Sequence, residues 1–185
     1  MDNAEKLRAA LALAALLAAG LPQARAEVVT ITGDTTFGPV FERPGSWGGP
    51  TPDFVTGVTY RAFDVAVSES DWQYSFVTNC AFNCGSFFYQ DAFDPLQPQK
   101  NLMSSSADNG FELTSVMAAM DPGRKYVYVV AGYYDYDWGA FSTTVGGKGL
   151  ISISAVPEPS ALAMLLGGLG ALGALGMARR RRRPV

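Results

Sequence analysis

The side chains able to do chemistry in this chain are carboxylates, aromatic rings and two thiols. Asp91 with Asp94, Asp108 with Asn109, and Asp135 with Asp137 form three acidic groups. Calcium takes roughly six to eight oxygens, so several groups would have to converge to hold one ion, and no EF-hand pattern is present. Two carboxylates can hydrolyse a glycoside when about 5.5 Å or roughly 6.5–9.5 Å apart, but no substrate cleft is evident. Acids at turns need no such role, because Asp bonds nearby backbone there. Tyr133, Tyr134, Tyr136 and Trp138 are interleaved with Asp135 and Asp137. In a loop they would make a carbohydrate-contact patch, rings stacking on sugar and acids accepting hydroxyl hydrogen bonds. At a strand end, alternate rings would instead enter the core and the acids face solvent.

The chain has no histidine. That excludes Ser-His-Asp and Cys-His catalysis and most transition-metal sites. The expectation is a protein with no catalytic residues, no cofactor and no bound metal. Residues 27–156 carry 14 acidic and 6 basic side chains, a balance of −8, although the whole chain sums to only −3. Such a domain repels nucleic acid and anionic membrane surfaces.

Both ends read as targeting segments. Lys6 and Arg8 precede an apolar run over residues 9–20, Pro22 breaks it, and Ala24-Arg25-Ala26 offers small residues for cleavage. This is the pattern of a secretory signal peptide over residues 1–26, with Glu27 as the new N-terminus. At the other end, Val156-Pro157-Glu158-Pro159-Ser160 keeps the backbone extended. Residues 161–178 then carry no charge. As a helix they would span about 27 Å, against roughly 30 Å of bilayer core. The glycines of this run would weaken a helix in water and are tolerated in lipid. Arg179 to Arg183 follow and would stay on the cytoplasmic side.

The order Pro157-Glu158-Pro159, apolar span and arginine cluster resembles the PEP-CTERM sorting signal of Gram-negative bacteria. The resemblance covers residues 156–185. It implies recognition by a membrane-embedded exosortase, cleavage near the motif, and release or transfer to the cell surface or exopolysaccharide matrix. Pro157, Glu158 and Pro159 are then substrate residues, not catalytic ones. The alternative is a permanent single-span anchor at the membrane, for which charge and length alone suffice.

Between these ends, residues 27–155 form one domain, long enough for its own core. It reads as short strands divided by Gly, Pro and Asp turns, with no amphipathic helix, which predicts an all-β antiparallel sandwich, jelly-roll-like. Residues 28–32 open it. Residues 37–54 hold four prolines and Trp47, so they predict a long surface loop with room for a short edge strand. Val58, Tyr60 and Ala62 alternate, then Phe63, Val65 and Val67 alternate in the opposite phase, which suggests a bulge or a change of sheet. Trp72, Tyr74 and Phe76 give the next strand one aromatic face; Phe87 and Tyr89 mark the one after. Phe111, Leu113 and Ser115 suggest another, followed by a short apolar piece over residues 116–120. Residues 126–131 are apolar on both faces and should be the central buried strand. Residues 139–145 and 149–154 close the domain as two strands around Gly146-Gly147-Lys148.

Cys80 and Cys84 lie between two of these strands. An exported chain meets an oxidising compartment, so a disulfide clamping a hairpin loop is expected. The short loop makes it worth less than the roughly 3 kcal/mol of a 15-residue loop.

Trp72-Gln73-Tyr74-Ser75-Phe76, Phe88-Tyr89-Gln90, Phe93-Asp94-Pro95-Leu96-Gln97-Pro98, Asn101-Leu102 and Asp108-Asn109 occur in that order. Tyr126-Val127-Tyr128-Val129-Val130-Ala131-Gly132-Tyr133 and Gly139-Ala140-Phe141 follow. This succession resembles the β-sandwich domains found ahead of PEP-CTERM tails, akin to bacterial pre-peptidase C-terminal domains. The resemblance implies an accessory module, with the Cys80/Cys84 loop a local departure. Together these readings give an exported, non-enzymatic surface or matrix protein; a carbohydrate- or calcium-binding module is the alternative.

Overall fold

Runs of β-branched and aromatic residues, cut by Gly, Pro and Asp, form ten strands and no helix among the described residues, 26–45, 57–107 and 112–157 of the computed structural model. The strands are β1 (Ala26–Asp34), β2 (Val40–Phe41), β3 (Val58–Val67), β4 (Asp71–Cys80) and β5 (Cys84–Gln90). They continue as β6 (Leu102–Ser106), β7 (Leu113–Met120), β8 (Tyr126–Gly132), β9 (Ala140–Lys148) and β10 (Ile151–Ala155). One sheet has the order β1-β9-β4-β7 and the other β10-β3-β8-β5-β6, with β2 added beside β3. All pairings are antiparallel. Leaving out β2 and β10, the two four-strand orders are those of a jelly roll. The expected signal peptide, except Ala26 at the start of β1, and the apolar run over residues 161–178 lie outside the described residues. Among the described residues no helix is long and apolar enough to cross a membrane.

Two cores stabilise this arrangement. The first lies between the sheets and is built on Phe63, Phe76, Phe88, Tyr126, Tyr128 and Phe141. The second covers the outer face of the larger sheet, where Phe41, Tyr60, Phe87, Tyr89 and Val129 pack under Phe93. β8 is buried at every position because it lies inside the larger sheet and between the two cores. Its apolar run is therefore the central strand that it predicts.

The phase flip in β3 has the same origin. No bulge or change of sheet occurs at Ala62-Phe63: the register with β8 runs unbroken from Tyr60↔Ala131 to Val65↔Tyr126. Val58, Tyr60 and Ala62 face the outer core, and Phe63, Val65 and Val67 face the inner one. One straight strand is buried on opposite faces along its two halves.

Other expectations shift locally. The register of β4 slips between Asp71 and Tyr74. Tyr74 and Phe76 are buried, while Trp72 is 77% exposed and leaves the aromatic face. Residues 113–120 make one strand that takes in the short apolar piece, with Val116, Ala118 and Met120 inward and Leu113 and Ser115 outward; Phe111 lies outside the described residues. Gly146 and Gly147 lie within β9, not in a turn; a Cβ at Gly147 would strike the Tyr74 ring. The chain turns at Gly149, whose φ is +71°, and passes to the other sheet in β10. Within residues 37–54, β2 supplies the short edge strand, and Trp47 lies outside the described residues.

Candidate functional site

The Cys80–Cys84 disulfide is formed. It does not clamp a hairpin. β4 ends at Cys80 in the smaller sheet and β5 begins at Cys84 in the larger one, so the bond staples the corner where the chain changes sheets. The sequence shows two strands flanking the cysteines but not that they belong to different sheets.

A second crossover, residues 133–139 between β8 and β9, lies against this corner. Tyr133 N donates to Asn83 O at 2.9 Å, and Ala81 N donates to Ala140 O at 3.0 Å. Gly132 has no room for a Cβ, because the Asp137 carbonyl occupies that space. The crossover is a tight turn: Asp137 N donates to Tyr134 O at 3.1 Å, and Tyr134 N donates to Asp137 Oδ2 at 2.9 Å. Alternate rings therefore do not enter the core as they would on a strand. Tyr133 packs half-buried, edge-on to Tyr134. Tyr134 stacks on Tyr136 at 5.1 Å with 16° between the rings. Tyr136 is 70% exposed and Trp138 is also exposed. Burial raises the Asp137 carboxyl pKa above its ordinary range, with Asp135 adding to the rise and the Tyr134 amide opposing it.

Arg43 supports this loop and is not legible as a site residue in the sequence. It is buried, its guanidinium carbon sits 4.1 Å from the Tyr133 ring centroid, and its Nε donates to Tyr133 O at 2.8 Å. The neighbouring Pro44 carbonyl accepts from Nη1 at 3.0 Å. Burial lowers the guanidinium pKa, partly offset by Tyr133.

The other acids act locally. Asp94 Oδ1 accepts from Leu96 N at 3.0 Å in the loop that covers the outer core. Asp91 occupies a turn at φ +67°. Asp108 and Asn109 lie outside the described residues. Among the described residues no three His, Cys, Asp or Glu side chains gather as a metal-holding group.

The stem of the tail is held by the domain. β10 pairs with β3 as far as Ala155↔Phe63, and Val156 N then donates to Ala62 O at 3.0 Å. The Val156 side chain packs on the outer core. Beyond it the edge of β3 is taken by Pro39, whose carbonyl accepts from Tyr60 N at 3.0 Å. Pro157 and Pro39 thus meet at a pocket of about 140 Å³ that Phe93 and Pro95 also line. Pro157 is exposed, and Glu158 and Pro159 lie outside the described residues.

The last strand of this jelly-roll domain runs without a linker to Pro157. Residues 155–183 match the PEP-CTERM protein-sorting motif. The chain is therefore an exported protein sorted by an exosortase, which acts at the membrane. No curated protein matches the chain.

Proposed function

We infer that this is a non-enzymatic protein of the cell surface or extracellular matrix, its sandwich akin to pre-peptidase C-terminal domains. Residues 1–26 direct export and are removed. Residues 161–178 hold the precursor in the inner membrane with the arginines in the cytoplasm. The exosortase recognises Pro157, Glu158 and Pro159, cuts near them, and frees the domain to the surface or the exopolysaccharide. The observation that carries this reading is the sorting motif at residues 155–183 joined directly to a folded domain. The absence of histidine, and acids engaged in their own turns, support a role without catalysis. Replacing Pro157→Ala or Pro159→Ala should leave the protein in the inner membrane; normal release of both variants would contradict the reading.

A second reading gives the domain a carbohydrate contact. It is favoured by the stacked Tyr134–Tyr136 pair, with Tyr136 and Trp138 exposed beside it. Loss of one ring contact of about 1 kcal/mol would weaken binding roughly fivefold. Retention of Tyr136→Ala on immobilised exopolysaccharide measures this, and unchanged retention excludes the ring as a contact.

A further inference from the structure

We propose that the face around the exit of the chain rests on the lipid surface while the precursor is membrane-bound, with Phe37 and Leu96 entering the bilayer interface. This rests on the reading of residues 161–178 as a span. Only Glu158, Pro159 and Ser160 separate Pro157 from Ala161. Fully extended, that distance is at most about 14 Å. The headgroup zone on one side of a bilayer is itself roughly 5–8 Å deep. At full extension at most about 6–9 Å remains above the headgroups, so the domain stays close to the membrane and turns toward it the surface where Pro157 leaves.

That surface carries the two most exposed large apolar side chains of the described residues. Phe37 is 96% exposed and Leu96 is 90% exposed. Leu96 follows Pro95, and Phe37 lies two residues before Pro39; both prolines line the pocket shared with Val156 and Pro157. Arg61 Nε donates to Asp34 O at 2.7 Å and ties the Phe37 turn to β3 beside that pocket. Phe37 also has a φ of +56°. A bulky residue in the left-handed region is costly, and here nothing on the described domain buries the ring in return. A lipid interface supplies the missing burial, as it does for aromatic residues at membrane surfaces. The acidic balance of the domain favours a zwitterionic surface over an anionic one.

The test uses the exported precursor, Glu27 to Val185, in phosphatidylcholine vesicles, part of the lipid carrying bromine near the glycerol end of its acyl chains. Phe37→Trp, Leu96→Trp and, as a control on the first strand of the smaller sheet, Val28→Trp are compared with the unsubstituted chain. The two exit-face variants should show at least about threefold more added quenching than Val28→Trp. Equal quenching at all three positions, in vesicles whose protein resists alkaline carbonate extraction, would overturn the proposal and leave the span intact. Extraction of the unsubstituted chain by carbonate would show that the tail does not span, and the proposal would fall with that reading.

Discussion

The Val156 amide donates to the Ala62 carbonyl at 3.0 Å, so the domain still grips its chain one residue before Pro157. As far as Val156 the chain is part of the fold, not a tether. In the proposed reading, an exosortase acting near Pro157 works against the edge of a folded sheet.

In amide exchange of the processed domain, Val156 should therefore be protected to the same order as Ile153 in β10. Exchange at the rate of an unstructured amide would show that the stem is free.

The disulfide closes a loop across the corner between the sheets. On the chain-entropy account a loop of this size contributes about 2 kcal/mol. The Cys80→Ser, Cys84→Ser pair should lower the urea midpoint accordingly without changing the slope of the transition. An unchanged midpoint would mean that the neighbouring crossover at residues 133–139 already fixes the corner.

A buried hydroxyl chain joins the sheets: Thr78 Oγ1 lies 2.5 Å from the Tyr128 hydroxyl and 2.6 Å from Thr143 Oγ1. Tyr128→Phe takes the cross-sheet partner from Thr78, which keeps Thr143, and should cost about 1 kcal/mol. Combined with Thr78→Val, the loss should be clearly less than the sum of the two single losses, because the partners leave together. Additive losses in urea unfolding would contradict the network.

Burial also sets the behaviour in base. It raises the phenol pKa values of Tyr60, Tyr89 and Tyr128 above the ordinary 10.0. Above that pH the unfolded chain loses these protons first, so the folded state holds more of them and stability falls as pH rises. These phenols should ionise in one step together with loss of the near-ultraviolet circular dichroism. Their titration while that signal persists would show that they are open to solvent.

Much of the fold is legible in the sequence because burial leaves a periodic trace. The apolar run of residues 126–131 marks β8, and turn residues divide the other strands. What stays hidden is which face each half-strand buries. Val58, Tyr60 and Ala62 reverse phase against Phe63, Val65 and Val67 with no break in β3, because a second core made by loops far apart in sequence covers the outer face. Sheet membership is hidden for the same reason. Nothing local to Cys80 and Cys84 says that β4 and β5 lie in opposite sheets. At the candidate sites, Pro157, Glu158 and Pro159 are legible as a short linear motif. Arg43 is not, since its role comes from the Tyr133 ring, 90 residues away.

In the proposed reading this domain is exported and cut free at its tail. The mass of the protein recovered from the surface or medium of the producing cell reports on both steps. A species beginning near Glu27 and ending near Pro157-Glu158-Pro159 is expected. A mass that retains Arg179 to Val185 would contradict processing and make the tail a permanent anchor.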